Sequence, residues 1–253
     1  MSIEIYDQSE AFVEEDGDLV FDHTKVILKK GGDLFYARTN QRQSATIDLN
    51  QLEAIPIPKD HIYPAFNPIF TQAPNPLPPK TYVKRPNVIY YGDTTATMNF
   101  APTILNEVNK CEVLRRHPHP NIAQYLGCLV EGGRIYGICF VEYQQSLAQR
   151  LREKAHLNVD GCIRGIENGV NHLHSLGLIH CDLNPQNIMM SDDDPVIIDF
   201  DSCTFEGEPL GLKAGTEGWA DSHVELAKRK GDLFSLSKIK EALVARTRER
   251  DSL

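Results

Sequence analysis

The stretch His180-Cys181-Asp182-Leu183-Asn184-Pro185-Gln186-Asn187 decides how this chain is read. Taken alone it is a polar turn of the kind that joins a helix to a strand. Seventeen residues after Asp182, the run Val196-Ile197-Ile198, which reads as a strand, ends in Asp199-Phe200-Asp201. Gly215-Thr216 follows, and then Asp232 heads a helical pattern. A lone strand-end aspartate is most simply a local cap. Four such features in this order and spacing are hard to obtain by chance.

Working outward, Val159 to Leu176 places Ile163, Ile166, Val170 and Leu173 on one face and predicts a helix, with a shorter one over Ser146 to Lys154. Before these, Ala123 to Val130 and Ile135 to Tyr143 are apolar runs joined by Glu131-Gly132-Gly133-Arg134, the pattern of an antiparallel hairpin. Leu105, Val108, Cys111 and Leu114 recur at steps of three and predict a helix. It stops at His117-Pro118-His119-Pro120, because proline disfavours helical geometry in the residue before it. Between Pro56 and Pro86 stand nine prolines and no glycine, a composition expected to give an extended, wrapping segment. Lys25 to Ala37 reads as two strands around Gly31-Gly32. Past Asp232, the spacing of Leu233, Leu236, Ile239, Leu243 and Val244 predicts an apolar stripe on the last helix. The pattern turns from strand-rich to helix-rich near Gln144. The expected class is therefore α+β, divided into 1–80 (an extension and first strands), 81–143 (strands with one main helix) and 144–253 (helices).

Composition limits the function. With 253 residues, 41% of them hydrophobic, the chain buries a substantial core. No stretch approaches the roughly 18 to 20 apolar residues of a membrane span, and the first residues lack the positive start and apolar core of a signal peptide. A cytoplasmic address, with the nucleus as the alternative, and no membrane partner are the expectations. The six cysteines are scattered without a C-x-x-C pair, so they are read as reduced and mostly buried. A net charge of −9 sets up a field that repels nucleic-acid phosphates, and no nucleic-acid partner is expected. The basic stretches at Lys228 to Lys230 and in the tail read as solvated faces. A monomer is expected.

The ordered features resemble the protein kinases, in which a catalytic loop H-R-D-L-x-x-x-N is followed by D-F-G, a G-T ahead of A-P-E, and a helix opening with Asp. The resemblance covers about Glu107 to Leu243, and it implies a two-lobed fold with a strand-rich first lobe, one main helix there, and a helical second lobe. It further implies ATP and Mg²⁺ as cofactors and transfer of the γ-phosphate to a serine or threonine hydroxyl. By resemblance Asp182 is the catalytic base, and Asn187 and Asp199 hold Mg²⁺, an ion usually bound by one or two carboxylates together with phosphates. Lys84, in Thr81-Tyr82-Val83-Lys84, stands where the phosphate-binding lysine would, with Glu107 as its partner and Glu112 as the fallback. Counting back from His119-Pro120-Asn121 instead puts Lys110 in the glutamate's place. Glu142 and Tyr143 resemble the hinge that contacts adenine. The wider pattern, from Tyr82-Val83-Lys84-Arg85-Pro86 to Gly215-Thr216-Glu217-Gly218-Trp219, is similar to a group of short fungal kinase-like proteins.

The departures are as informative. No glycine stands between Gly32 and Gly92, so the glycine-rich phosphate loop is missing, and Tyr82 replaces a small residue beside adenine. Cys181 stands for the arginine that pairs with a phosphorylated activation segment, Asn184 for a lysine, Asp201 for the D-F-G glycine, and Asp221-Ser222-His223 for A-P-E. Asp201 is read either as recruiting a second metal or as facing solvent. The chain's end implies a shortened second lobe. Two alternatives to a protein kinase follow: a pseudokinase that binds nucleotide or protein without transfer, and a small-molecule kinase.

Overall fold

In the computed structural model, residues 2–94, 96–153, 157–210, 215–219 and 226–251 are described. The chain forms two compact units, one of residues 1–66, 85–104 and 131–136, the other of 67–84, 105–130 and 137–253.

In the first unit, β1 (Ile3–Glu15), β2 (Asp18–Lys30), β3 (Asp33–Thr39) and β4 (Ile55–Ile57) form an antiparallel sheet in chain order. The turn expected at Gly31-Gly32 joins β2 to β3, with Lys30 opposite Asp33. Strand alternation sends Ile27 and Leu34 to one face, where they pack with Ile57, Ile62, Val88 and Tyr91, and sends Val26, Leu28 and Ala37 to the other. Both faces of β2 are therefore dry at its centre. The short α1 (Lys59–Ile62) is a single helical turn inside the proline-rich segment, admitted because Pro58 precedes it and no proline falls within it. The remainder of that segment is extended or turn, as its composition predicts.

In the second unit, β5 (Thr81–Lys84) is the edge of a three-stranded sheet. α2 (Ala101–Arg116) precedes the sheet's other two strands, β6 (Tyr125–Glu131) and β7 (Arg134–Val141), which lie in the order β5-β7-β6. α2, β6 and β7 run across both units. Residues 71 to 73 run along β6, with Ala73 donating to the Cys128 carbonyl and Cys128 to that of Thr71. Gly127 makes this approach possible: a Cβ there would lie 2.5 Å from the Ala73 nitrogen. Val108, Cys111 and Leu114 of α2 are buried at the expected spacing.

The helical part opens with β8 (Gln145–Ser146) and α3 (Leu147–Arg152), whose first turn is closed by a capping box between Ser146 and Gln149. Lys154, the expected end of that helix, lies outside the described residues. α4 (Val159–Ser175) is capped by Asn158 and buries Ile166, Val170 and Leu173 completely, each worth about 1.5–3 kcal/mol by area. Its Gly169 lets α4 close on its neighbours, since a Cβ there would meet Ile197 Cδ1 at 2.8 Å and the Asn121 carbonyl at 2.9 Å.

β9 (Leu178–Ile179) leads into the quoted loop, and β10 (Ile188–Ser191) and β11 (Asp194–Ile197) form the hairpin beyond it. β12 (Thr204–Phe205) returns to pair with β9. α5 (Arg229–Asp251) closes the chain. Its buried side is Asp232, Ser235, Leu236, Ile239 and Leu243, so Leu233, at 49% exposure, and Val244 lie off the dry face despite their place in the sequence stripe. The helix is turned so that Asp232 points inward. Five of the six cysteines are buried and none forms a disulfide.

Candidate active site

The loop from His180 to Asn187 is fixed from beneath by Asp232. This fully buried carboxylate accepts from His174 Nε2 at 2.8 Å and from the backbone N–H groups of His180 and Cys181 at 2.9 and 3.0 Å. Cys181 sits in the left-handed region with φ 66°, and burial, with Asp232 adding to it, pushes its thiol up to about 12, so it stays protonated at neutral pH. His180 Nδ1 accepts from the Asp182 N–H at 3.3 Å, so Nε2 carries the proton and donates to the Ile198 carbonyl at 2.9 Å. The His180 ring meets the buried Phe200 edge-on at 5.9 Å.

The Asp182 carboxylate is held at both oxygens. Thr216 Oγ1 donates to Oδ1 at 2.7 Å, Asn184 Nδ2 reaches the same oxygen at 3.3 Å, and Asn187 Nδ2 donates to Oδ2 at 3.0 Å. Asn184 also donates to Thr216 Oγ1 at 3.1 Å, while its own Oδ1 caps the turn over Pro185–Asn187 by accepting from Gln186 and Asn187. The side chain that stands for a lysine is thus built into the loop as a brace. Because Asn187 spends its amide nitrogen on Asp182, its Oδ1 is left as an acceptor.

Lys84 Nζ is the second centre. It donates to both oxygens of Glu107 at 2.8 and 2.9 Å and to Asp199 Oδ1 at 2.5 Å, and Asp201 Oδ2 lies 3.7 Å away. Burial alone would depress this ammonium, but the three carboxylates outweigh it and hold Lys84 above the usual lysine range. Glu107 is therefore the partner. Glu112 instead binds the Thr71 backbone and hydroxyl at 2.5 and 3.0 Å, and Lys110 meets neither group. Asp201 is largely buried beside Lys84 and accepts from Ser202 Oγ at 3.0 Å, so it does not face open solvent. Its backbone does not need a glycine: the positive φ falls two residues earlier, at Asp199 with 66°.

A cavity of about 300 Å³ adjoins this cluster, lined by Tyr82, Lys84, Glu107, Ala123, Phe140, Glu142, Tyr143, Met189, Ile198 and Asp199. Its walls are mainly apolar, as a flat heterocycle requires. Glu142 donates its N–H to the Lys80 carbonyl at 2.8 Å, and the Tyr143 hydroxyl accepts from the Gln124 N–H at 3.3 Å. Tyr82 lines the cavity but is 55% exposed, so its ring does not fill it. Sequence reasoning missed Ala123, Phe140 and Met189 as lining residues. It also gave Thr216 no role, although its place after Gly215 was marked. Asp221-Ser222-His223, read as the A-P-E position, lies outside the described residues.

Residues 92–237, more than half of the chain, match the protein kinase domain model. The chain belongs to the protein kinase family. Similar kinases include the serine/threonine-protein kinase/endoribonuclease IRE1 of Hypocrea jecorina, 31% identical over 40% of this chain and 10% of that protein. The calcium/calmodulin-dependent protein kinase type 1 of Macrobrachium nipponense is 30% identical over 52% of this chain and 41% of that protein. Sperm motility kinase 2B of Mus musculus is 31% identical over 48% and 26%. The chain thus spans less than half the length of each of these relatives. The matched stretch opens after Lys84 and does not include it. Among the described residues no helix is long and apolar enough to cross a membrane.

Proposed function

We propose that this kinase-family protein transfers the γ-phosphate of ATP, with Mg²⁺, to a hydroxyl of a protein substrate, in the manner of a serine/threonine kinase. The observation that carries the reading is Lys84 Nζ, bonded to Glu107 and Asp199 at the wall of the cavity that Glu142 and Tyr143 also line. The residues present fit the metal: Asp199 offers a carboxylate and Asn187 a free amide oxygen, the hard oxygen donors that Mg²⁺ takes. Bound Mg²⁺ neutralises charge on the transferring phosphate oxygens.

In this reading Lys84 exchanges part of its carboxylate contact for the α- and β-phosphates, and Glu107 keeps it aimed. The apolar walls take the base, with the backbone at Glu142 and Tyr143 alongside it. Asp182 orients the attacking hydroxyl and accepts its proton as the γ-phosphoryl group leaves the bridging oxygen. Thr216, Asn184 and Asn187 hold that carboxylate in one orientation, which lowers the cost of reaching the reactive geometry. Asn184 brings no full charge to the γ-phosphate, so transfer is slower than with a lysine there. The decisive experiment is transfer of labelled phosphate to a general protein substrate by the wild type and Asp182→Asn, with and without EDTA. Equal incorporation by both would sink the reading.

A second reading has its own observation. β5 pairs only with β7, so the side of Lys84's strand where a glycine-rich hairpin would add is a sheet edge among the described residues. That favours a nucleotide-binding module without transfer. A melting temperature raised by MgATP, but no labelled product from any substrate, selects it.

A further inference from the structure

β2 is dry only where it lies between two strands. β3 pairs with it from Lys30, opposite Asp33, to Thr24, opposite Thr39, and stops there, so β1 and β2 continue past the sheet as a two-stranded ribbon closed by the turn at Asp16-Gly17. Burial changes at the same place: Thr24 to Leu28 are buried, while every residue from Phe12 to Val20 is exposed. A ribbon of two strands is marginal in water without a third strand or a packed face. This one carries Phe12 at 47% and Leu19 at 76% exposure, with Val13 and Val20 exposed beside them.

β1 is also the edge of its sheet. It pairs only with β2, and no other backbone group among the described residues bonds to its outer side. From Asp7 to Glu15 that edge is uninterrupted, because the irregularity at Ala11 and Phe12 inserts its extra residue, Asp22, into β2. Strand alternation puts Phe12 on one face between Glu10 and Glu14, and Ala11 and Val13 on the other between Asp7 and Glu15. Phe12 lies opposite Phe21, whose ring it meets edge-on at 6.2 Å, and Val13 lies opposite Val20. Each face thus has an apolar centre with acid toward its ends. The first 24 residues hold eight Asp or Glu and no Lys or Arg. Glu10 is met by Arg42 at 2.8 Å, whereas Asp7, Glu14 and Glu15 make no ion pair among the described residues. Open edges are commonly blunted by charge. Here the charge is all of one sign, so it repels a second copy, whose own acids would arrive opposite these, and attracts a basic chain.

We propose that the outer edge of β1, from Asp7 to Glu15, docks an extended basic segment of a partner protein, which adds to the sheet as a further strand. The apolar centre of that segment covers Phe12 and Val13, and its lysines or arginines meet Asp7, Glu14 and Glu15 toward the ends. The edge stands apart from phosphotransfer, since no residue of β1 enters that reading.

The test uses the full chain and three labelled peptides of one length. The first has lysine and arginine on both sides of a threonine-valine-isoleucine-valine-threonine centre, and the second has glutamate for every basic residue. The third is the basic peptide N-methylated at its three central residues, which keeps the charge and removes the strand hydrogen bonds. By fluorescence anisotropy the first is expected to bind at least about tenfold more tightly than either of the others. Hydrogen exchange should show new protection at the amides of Asp7 to Glu15 when it binds. The double substitution Glu14→Lys with Glu15→Lys, at two exposed positions, is expected to leave the circular dichroism spectrum unchanged, to weaken the basic peptide about tenfold and to strengthen the acidic one. Equal binding of the basic peptide and either control, no binding at about 1 mM, protection elsewhere in place of β1, or an affinity indifferent to the double substitution overturns the proposal. So does a dimer of the chain whose β1 amides are protected without peptide.

Discussion

Lys84 and Lys110 are two lysines of the same compact unit, both largely withdrawn from water, and their surroundings are opposite. Lys84 stands among three carboxylates, Glu107, Asp199 and Asp201. Lys110, three residues along α2 from Glu107, has the Phe205 ring 4.0 Å from its Nζ and makes no ion pair with a carboxylate among the described residues, although Glu208 lies near enough to feel its charge. The first is overcompensated, with negative charge left over for a cation. The second meets a ring face and the more distant Glu208. Burial alone therefore says little about a charged side chain; what surrounds it decides how its charge is met.

Four measurements sharpen or break this contrast. Lys84→Met leaves three carboxylates facing one another, so labelled-phosphate transfer is expected to disappear and stability to fall by about 3 kcal/mol, the lower end for a broken buried pair because Lys84 is a quarter exposed. Denaturant unfolding checks the second part, and an unchanged midpoint would dissolve the contrast. Asp182→Asn is expected to slow transfer about 10² to 10⁴-fold with little change in melting temperature, since the one amide oxygen can accept from Asn187 while the amide nitrogen donates to Thr216 Oγ1.

Glu112, two residues along α2 from Lys110, is engaged elsewhere, by Thr71 and Arg115. Although burial pushes its carboxyl up, the Thr71 donors and Arg115 outweigh this and hold it below the ordinary 4.5. A folded-state value below the unfolded one means that stability is present above about pH 4.5 and is lost as pH falls through the depressed value. Wild type should exceed Glu112→Gln by about 1 kcal/mol at pH 7, with the gap closing as pH falls through the depressed value. Lys110→Met carries the smallest effect: only a ring contact and a distant attraction to Glu208 are lost, so denaturant unfolding should show a change of less than about 1 kcal/mol.

Much of the loop around Asp182 was readable because its partners are near in sequence. Asn184 and Asn187 brace Asp182 from two and five residues away, so their spacing carries the geometry. Thr216 donates to the same carboxylate from 34 residues on, and no local pattern connects them. Lys84 and Glu107 were paired by resemblance, while counting back from His119-Pro120-Asn121 offered Lys110 for the same place; only the helix's rotation in space separates them. The glycine expected at Asp201 was not needed, because the chain makes its left-handed turn at Asp199. In α5 the 3.6-residue stripe marked Leu233 and Val244 as inward, yet the requirement that Asp232 reach the loop turns that face partly to solvent.

The sequence by itself determined the helices and strands of the second half, the kinase family, and the residue types that phosphoryl transfer requires, because these rest on short-range periodicity and on a loop whose members lie within eight residues. Tertiary structure alone decided which glutamate meets Lys84, what Asp201 and Thr216 touch, and that Lys110 lies against the Phe205 ring. Those outcomes depend on side chains distant in sequence arriving at one point, and electrostatic compensation is a property of that point rather than of any stretch of chain.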